Sequence, residues 1–361
     1  MPALLDAPED IIVTILEELR TDRPTLRACT LVARSFRSPC QRLLFSMIGF
    51  DYLQMEHSRM QSARCVQRLH AVLITNPLLG LFVRELNLMY EFEAEASTDV
   101  LRLLPRLRTL AVETLAPRHW SKPSVPWESF PPNLRSGIGH LMQLPSLENV
   151  DLRGISGFPV FHFPIQLRHL TLSRVQLHKS IASAMPVISL RSLRFKRLPT
   201  QSDIDNCQLV LQMAANTLER LQFSVGDPAL LVALDLSPVK LLATLKVVYV
   251  SISSEFILAH LRMFVDKSIP TVSALREFTL SFDSVNPDWS SVDRTLSGAA
   301  HLSGTHIHIH FPKYAVVDAL ERILEARMPR IVKRDGTSIY GNDELVWTRC
   351  WNGKVRFVPV T

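Results

Sequence analysis

The chain has 361 residues, enough for two or three domains or for one elongated repeat array. Hydrophobic residues make up 47% of the sequence and charged residues 20%, which indicates a folded protein and excludes an extensively disordered one. The net charge of +6 comes from Lys and Arg spread along the chain, without the dense basic run that would point to nucleic-acid binding.

The first predicted helix lies in the stretch DAPEDIIVTILEEL. Asp6 is placed to cap it, Glu9 completes a capping-box spacing, and Pro8 falls in the first turn, where its missing N–H costs little. Apolar residues then recur at the helical period and form one face. These residues are Ile11, Ile12, Ile15, Leu16 and Leu19.

Two more short helices are predicted before residue 46. TDRPT ends the first helix and starts a second one, whose apolar residues include Leu31 and Val32. Ser38-Pro39 predicts the N-cap and first turn of a third helix. A module this small rarely stabilises itself, and its apolar faces exceed what it can enclose. Either a partner or the rest of the chain must cover the surplus.

These three segments resemble an F-box, and most closely the F-boxes of large fungal families. The family usually opens with Leu-Pro, continues with a Val-Cys-Arg-x-Trp core and ends near Leu-Phe. This chain has Ala7-Pro8, the stretch VARSF from Val32, and Leu44-Phe45. The resemblance implies docking on the adaptor subunit of a cullin–RING (SCF-type) ubiquitin ligase. The residues available for adaptor contact are Pro8, Ile11, Ile12, Leu16, Leu19, Leu31 and Val32.

The body of the chain is a degenerate repeat of the form apolar-x-x-apolar-x-apolar. The repeat occurs as VRELNL, LRTLAV, LENVDL, LRHLTL, LRSLRF, LERLQF, LATLKV and LREFTL, with successive starts 24, 40, 20, 23, 28, 24 and 33 residues apart. This spacing resembles that of leucine-rich repeats, with insertions or a missed repeat in the two long intervals. The segments between the motifs have helical patterns. We therefore expect an α/β fold in which an irregular parallel β/α solenoid follows the F-box, with a doubly wound α/β domain as the alternative.

Two regions fall outside this repeat. APRHWSKPSVPWESFPPN, from Ala116, reads as a Pro-rich loop whose apolar residues pack on the solenoid or reach a ligand. Near the C-terminus, YAVVDALERILEARM predicts an amphipathic helix, and LVWTRCWNGKVRFVPV predicts a β-hairpin that turns at Asn352-Gly353. These elements are expected to cap the open edge of the sheet. The predicted domains are thus 1–48 (F-box), 49–330 (solenoid) and 331–361 (cap).

Side chains between the buried positions of each strand would line the concave face. The first strands offer mainly acidic and amide groups, together with Arg153. Later strands offer Arg194, Lys196, Arg220 and Lys246, which predict a positive patch. An acidic or phosphorylated protein segment would suit this patch, because Arg binds carboxylates and phosphates through paired hydrogen bonds. The alternative is a solvated strand face with incidental charges.

The stretch THIHIHF predicts a strand with Ile307 and Ile309 in the core and three histidines on the opposite face. His306 and His308 are candidates for partner contact, and their titration would make that contact pH-sensitive. A solvated strand is the simpler interpretation. Two of the histidines have metal-ligand spacing, but no converging Cys or carboxylate is evident, so we expect no metal and no cofactor.

Motifs for nucleotide binding and for common hydrolases are absent from the sequence, so we do not expect an enzyme. The chain is expected to be the substrate receptor of a ubiquitin ligase, which marks a protein target for degradation. The alternative is an interaction scaffold with no ligase role.

The predicted location is cytoplasmic or nuclear. Five scattered cysteines indicate free thiols in a reducing compartment. The start MPALLDAPED lacks the features of a signal peptide, and the most apolar region is interrupted by Asp235, Pro238 and lysines, so no membrane span is predicted.

Overall fold

The computed structural model describes residues 8–49, 59–89, 96–114, 124–178, 186–198, 200–227, 229–250, 254–282, 288–311, 324, 326–333, 337–340, 345–349 and 355–359. It is a mixed α/β structure with two compact units. The first unit is Met1–Leu167 with Leu177–Ala182, and the second is Arg168–Gln176 with Ser183–Thr361.

Three helices open the first unit: α1 (Glu9–Glu17), α2 (Arg23–Val32) and α3 (Arg34–Phe45). Asp22 caps α2 as TDRPT predicts, because its carboxylate accepts hydrogen bonds from both the backbone N–H and the hydroxyl of Thr25. Hydrogen bonding from Thr25 lowers the pKa of Asp22. The capping box predicted for α1 does not form at Glu9, because Pro8 is the N-cap residue and no side chain caps it. Asp6 lies outside the described residues.

The predicted start of the third helix at Ser38-Pro39 is wrong. Helix α3 begins at Arg34, directly after Ala33, whose extended backbone separates it from α2. Pro39 is therefore an interior residue, which removes one helical N–H but keeps a buried apolar side chain in the core. Phe36 and Cys40 are buried on the same helix, so the helical period of the apolar side chains continues across the proline.

Four parallel strands follow in the first unit, in the order β1 (Met47–Gly49), β2 (Glu85–Met89), β3 (Thr109–Glu113) and β5 (Asn149–Arg153). The helices between them are α4 (Arg59–Thr75), α5 (Ala96–Arg102) and α6 (Pro132–Met142). Two small pairs lie beside them: β4 (Val125–Pro126) with β6 (Ile155–Ser156), and β7 (Phe158–Pro159) with β9 (Leu177–His178).

The second unit has seven parallel strands in sequence order: β8 (His169–Ser173), β10 (Ser192–Leu198), β11 (Arg220–Val225), β12 (Thr244–Tyr249), β13 (Glu277–Phe282), β14 (His306–His310) and β15 (Thr337–Tyr340). Its helices are α7 (Gln201–Met213), α8 (Ala229–Val232), α9 (Ser254–Lys267), α10 (Trp289–Gly298) and α11 (Pro329–Lys333). Short 3₁₀ turns cover Pro77–Phe82, Trp127–Ser129 and Val160–His162 in the first unit. In the second unit they cover Ile269–Thr271 and Ala300–Leu302.

All eight repeat motifs coincide with strands, and each strand begins two residues after the first apolar residue of its motif. In LRTLAV, for example, Leu107, Leu110 and Val112 are buried, while Thr109 and Ala111 between them are half-buried. The predicted alternation and the parallel pairing are therefore confirmed. The helical segments predicted before β2, β11 and β13 are also present, as α4, α7 and α9.

One backbone contact recurs where the strands begin. The carbonyl oxygen of Ser46, the residue directly before β1, accepts hydrogen bonds from the N–H groups of Arg84 and Glu85 at the start of β2. The carbonyl of Arg84 accepts in the same way from Arg108 and Thr109, at 2.8 and 2.9 Å. The same paired arrangement occurs at the carbonyls of Arg108, Arg168, Arg191, Glu219 and Ala243. The starts of β2, β3, β5 and β10 to β13 are thus each held by the residue that precedes the neighbouring strand.

The predicted C-terminal hairpin is present as β16 (Leu345–Arg349) and β17 (Val355–Pro359), antiparallel with Trp347 opposite Phe357. Strand β16 pairs in turn with β15, Val346 lying opposite Tyr340. The proposed turn at Asn352-Gly353 and nearly all of the predicted helix YAVVDALERILEARM lie outside the described residues.

Within the described ranges, Cys29, Cys40, Cys65 and Cys207 are free thiols, as the spacing of the cysteines predicts. Cys350 is not among these residues. Where helices are described, none has both the length and the apolar composition needed to cross a bilayer.

Gly154 and Gly157 offer a matched test of the backbone between β5 and β7. Both have left-handed backbones, with φ of 69° and 70°. A Cβ on Gly154 would collide with the hydroxyl of Thr114, which donates a 2.7 Å hydrogen bond to the Gly154 carbonyl, whereas a Cβ on Gly157 meets open space. We expect Gly157→Ala to cost about 1 kcal/mol through its backbone conformation. Gly154→Ala should cost a further ~1–3 kcal/mol from overpacking.

Urea unfolding of the two variants measures this difference directly. Equal midpoints for Gly154→Ala and Gly157→Ala would contradict the close approach of Thr114 to Gly154.

Candidate functional site

The three N-terminal helices enclose a core of their own. Ile12 (2% exposed) and Leu16 (1%) of α1 pack there with Leu26 of α2 and with Phe36 and Cys40 of α3. Leu19 and Cys29 pack at its edge. Burial raises the pKa of the Cys40 thiol, and its contact with Cys29 raises it further. This core shows which apolar residues hold the helices together.

Apolar side chains remain exposed outside that core. Leu31 is 88% exposed and Val32 70%, both at the end of α2, while Ile11 and Ile15 are exposed one helical turn apart on α1. Of the residues predicted to bind an adaptor, Pro8, Ile11, Leu31 and Val32 are therefore exposed. Ile12 and Leu16 are inside the helical core, and Leu19 is half-buried at its edge.

The helices are joined to the strands of the first unit by polar contacts. Arg20 forms an ion pair with Glu85 of β2 at 2.8 Å, and Arg23 donates to the carbonyl of Met47 in β1 at 3.0 Å. The guanidinium of Arg42 lies over the ring of Phe82. None of these contacts uses the exposed apolar side chains of α1 and α2.

The outward side chains of β8 and β10–β15 form a second surface, which we call the polar strand face. The strand register arranges them in rows that run across the strands. One row contains His169, Ser192, Arg220, Thr244, Glu277 and His306. The next row contains Thr171, Arg194, Gln222, Lys246, Thr279, His308 and Ser338.

Three cations predicted for this surface lie close together. Arg194 and Lys246 share a row with Gln222 between them, so their backbones are about 10 Å apart at the usual strand spacing. Arg220 lies on the intervening strand, one row away. None of the three forms an ion pair with a described residue. Lys196 lies where the β10–β11 register shifts, so it has no paired residue on β11 and is not part of these rows.

In the first unit, the outward charged side chains pair with one another. Arg153 binds Asp151 through two hydrogen bonds of 2.7 and 3.0 Å and reaches Glu113 at 3.3 Å. Hydrogen bonding to Asp151 raises the pKa of Arg153. Asn149 donates to the hydroxyl of Thr109. These residues largely neutralise one another, whereas Arg194, Arg220 and Lys246 form no ion pair with a carboxylate among the described residues.

The histidines of β14 form a cluster with Tyr340. Ile307 and Ile309 are buried as predicted, and the histidines lie on the polar strand face. The ring of His310 stacks on Tyr340 with centroids 4.4 Å apart, and the Tyr340 hydroxyl is 3.3 Å from Nδ1 of His308. Tyr340 is not among the predicted site residues, although the alternation in TSIY indicates another strand.

Burial lowers the pKa of His308, and nearby His306 adds to this effect while Glu277 opposes it. No group of three or more His, Cys, Asp or Glu side chains in the described ranges is arranged to hold a metal ion.

The Pro-rich segment packs into the first unit. Trp127 is buried, with its ring 4.9 Å from that of Phe158 and 5.1 Å from that of Phe130. This is the packing role considered for the segment. Trp120 lies outside the described residues. Next to Trp127, the exposed Phe161 borders an open groove of about 590 Å³.

Two comparisons with known proteins bear on identity. No protein-family model matches the chain, and no curated protein matches it.

His308 is expected to make folding stability fall with acidification. Its folded-state pKa is lowered, so the unfolded chain binds more protons as the pH drops past the ordinary histidine value of about 6.5. The stabilising contribution is therefore present above that pH and lost below it. His308→Gln should flatten the decrease in melting temperature between about pH 7.5 and 5.5.

The matched control is His301→Gln, which replaces an exposed histidine in the 3₁₀ turn before β14. Parallel pH profiles for wild type and His308→Gln would contradict the assignment.

Proposed function

We propose that this protein is the substrate-recognition subunit of an SCF-type cullin–RING ubiquitin ligase. In this proposal α1–α3 form an F-box that docks on the ligase adaptor, and the strand units hold a protein target. The chain carries out no chemistry itself. It contributes proximity, because holding the target beside the transferring enzyme raises the effective concentration of the two reactants.

The observation that carries the proposal is the exposure of Leu31 and Val32 beside a closed helical core. An apolar pair at a helix end has no packing role within a module whose core excludes it. Burying these side chains and the exposed Ile11 against an adaptor would be favourable, at about 25 cal/mol per Å² of apolar surface. The resemblance of the sequence to F-boxes supplies the identity of that adaptor.

We also propose that the strand and helix array is an irregular leucine-rich-repeat solenoid with the polar strand face on its concave side. Support comes from the eight motif strands and their parallel register. A row of outward side chains can recognise a ligand while the buried positions maintain the fold. Arg194, Arg220 and Lys246 suit an acidic or phosphorylated segment of the target.

An interaction scaffold without a ligase role is the second candidate. The contacts of Arg20 and Arg23 with β2 and β1, and of Arg42 with Phe82, favour it, because they join the helices to the rest of the first unit as a structural cap would be joined. The exposed side chains Leu31 and Val32 are the feature that a cap does not explain.

Co-expression with the ligase adaptor tests the docking role of α2. Wild type should co-purify with the adaptor in a stoichiometric complex. Leu31→Asp with Val32→Asp should abolish the complex, because it places two carboxylates in an apolar interface. Ser35→Asp with Ser38→Asp, at exposed positions of α3, introduces two charges of the same sign outside α2 and should reduce the complex far less.

The double variant should melt within about 1–2 °C of wild type, because exposed positions contribute little to folding. Loss of the complex with unchanged melting supports docking. Absence of any complex with the wild-type chain contradicts the ligase assignment.

The target surface is tested with a fluorescent peptide of alternating Glu and phosphoserine. Anisotropy should report binding by wild type and at least about tenfold weaker binding by Arg194→Glu with Lys246→Glu, through lost charge-assisted hydrogen bonds. Arg34→Glu with Arg37→Glu is the matched control, since it makes the same charge change at exposed positions of α3. Equal weakening by both pairs would indicate nonspecific attraction and refute recognition by the polar strand face.

A further inference from the structure

The helices of the second unit enclose an open cavity of about 490 Å³, within the size range of small-molecule sites. Helices α9, α10 and α11 supply its walls. Leu258 and Ala259 of α9 and Gly298 of α10 form the less polar part of the lining. A Cβ on Gly298 would meet no other atom within 4 Å, so the space in front of it is free.

Three arginines line this cavity, one from each helix: Arg262, Arg294 and Arg330. Among the described lining residues the only carboxylate is that of Asp266, whose oxygen lies 3.7 Å from Nε of Arg262. Arg294 is oriented by hydrogen bonds to the hydroxyl of Ser291 at 2.8 Å and to the carbonyl of Ser290. The described lining therefore carries three positive charges and one negative charge.

A buried carboxylate fixes the backbone of Arg330. Asp293 of α10 is 3% exposed, and its two oxygens accept the backbone N–H groups of Arg330 and Ile331, at 3.4 and 2.6 Å. This contact fastens the start of α11 to the helix that carries Arg294. The guanidinium of Arg330 itself forms no ion pair with any described residue, so its donors remain available to a ligand.

We propose that this cavity binds a small phosphorylated molecule, with Arg294 and Arg330 as the principal contacts to its phosphoryl oxygens. Guanidinium groups match phosphate geometry through paired hydrogen bonds. The hydroxyls of Ser291 and Thr295 provide further donors in the same lining. A bound phosphate would also relieve the repulsion among three like charges held around one opening.

This site is distinct from the surfaces invoked for ligase function, and it does not rest on that proposal. Its residues belong to α9–α11, whereas the polar strand face belongs to the strands. Phosphate binding here stands or falls without adaptor binding.

Isothermal titration calorimetry of the full chain with inorganic pyrophosphate tests the site. We expect saturable one-to-one binding and a melting temperature that rises with pyrophosphate concentration, because a ligand of the native state stabilises it. Arg330→Ala and Arg294→Ala should each weaken binding about tenfold or more. Arg276→Ala removes one exposed guanidinium outside the cavity lining and should leave binding unchanged.

A phosphoserine peptide titrated in parallel distinguishes a small molecule from a protein source of the same group. Binding of pyrophosphate that depends on Arg330, with weaker binding of the peptide, supports the proposal. Three outcomes overturn it: no pyrophosphate binding by wild type, equal weakening by Arg276→Ala, or Arg330-dependent binding of the peptide alone. Variants with a wild-type circular dichroism spectrum exclude loss of fold as the cause of weaker binding.

Discussion

The paired hydrogen bonds at the starts of β2, β3, β5 and β10 to β13 are the contact on which the array depends. A parallel strand has no partner within its own repeat, so the backbone groups of each strand must be satisfied by the neighbours before and after it. The carbonyl of Arg84, for example, accepts from both Arg108 and Thr109, and the carbonyl of Arg191 accepts from both Glu219 and Arg220. Losing one entry would leave two N–H groups without their acceptor at the same point. The register is therefore passed from strand to strand along each unit.

This constraint separates the residues that maintain the fold from those free to vary. Side chains such as Leu221, Leu245 and Phe278 are paired across strands and fully buried, so their size is fixed by packing. The outward positions between them carry no such demand, and they include Arg194, Lys246 and His308 in a single row. A recognition surface can therefore change its charge without changing the register. In the first unit, by contrast, the outward Arg153 forms ion pairs with Asp151 and Glu113.

The sequence was sufficient to predict the strands because their signal is local. An apolar-x-x-apolar-x-apolar motif gives the strand, its buried face and, by repetition, its parallel neighbours. It failed at Ser38-Pro39, since a proline inside a helix is tolerated when Phe36 and Cys40 are buried on both sides of it. The sequence also could not distinguish Leu16 from Leu31, because both are leucines on the apolar side of a short helix. Only the packing of α1 against α3 shows that one is core and the other surface. The cavity of Arg262, Arg294 and Arg330 joins residues far apart in sequence, so no linear motif could reveal it.

The described structure presents three surfaces of different chemistry, and that difference has a physical consequence. Apolar side chains at the end of α2 suit an interface that excludes water. The cations of the polar strand face suit a charged segment, whose affinity would decrease as ionic strength rises. In the cavity between α9, α10 and α11, the buried Asp293 binds the backbone of Arg330 to α10, the helix that carries Arg294. A phosphorylated ligand there would join α9, α10 and α11 through one anion, and its binding energy would add to the stability of the second unit.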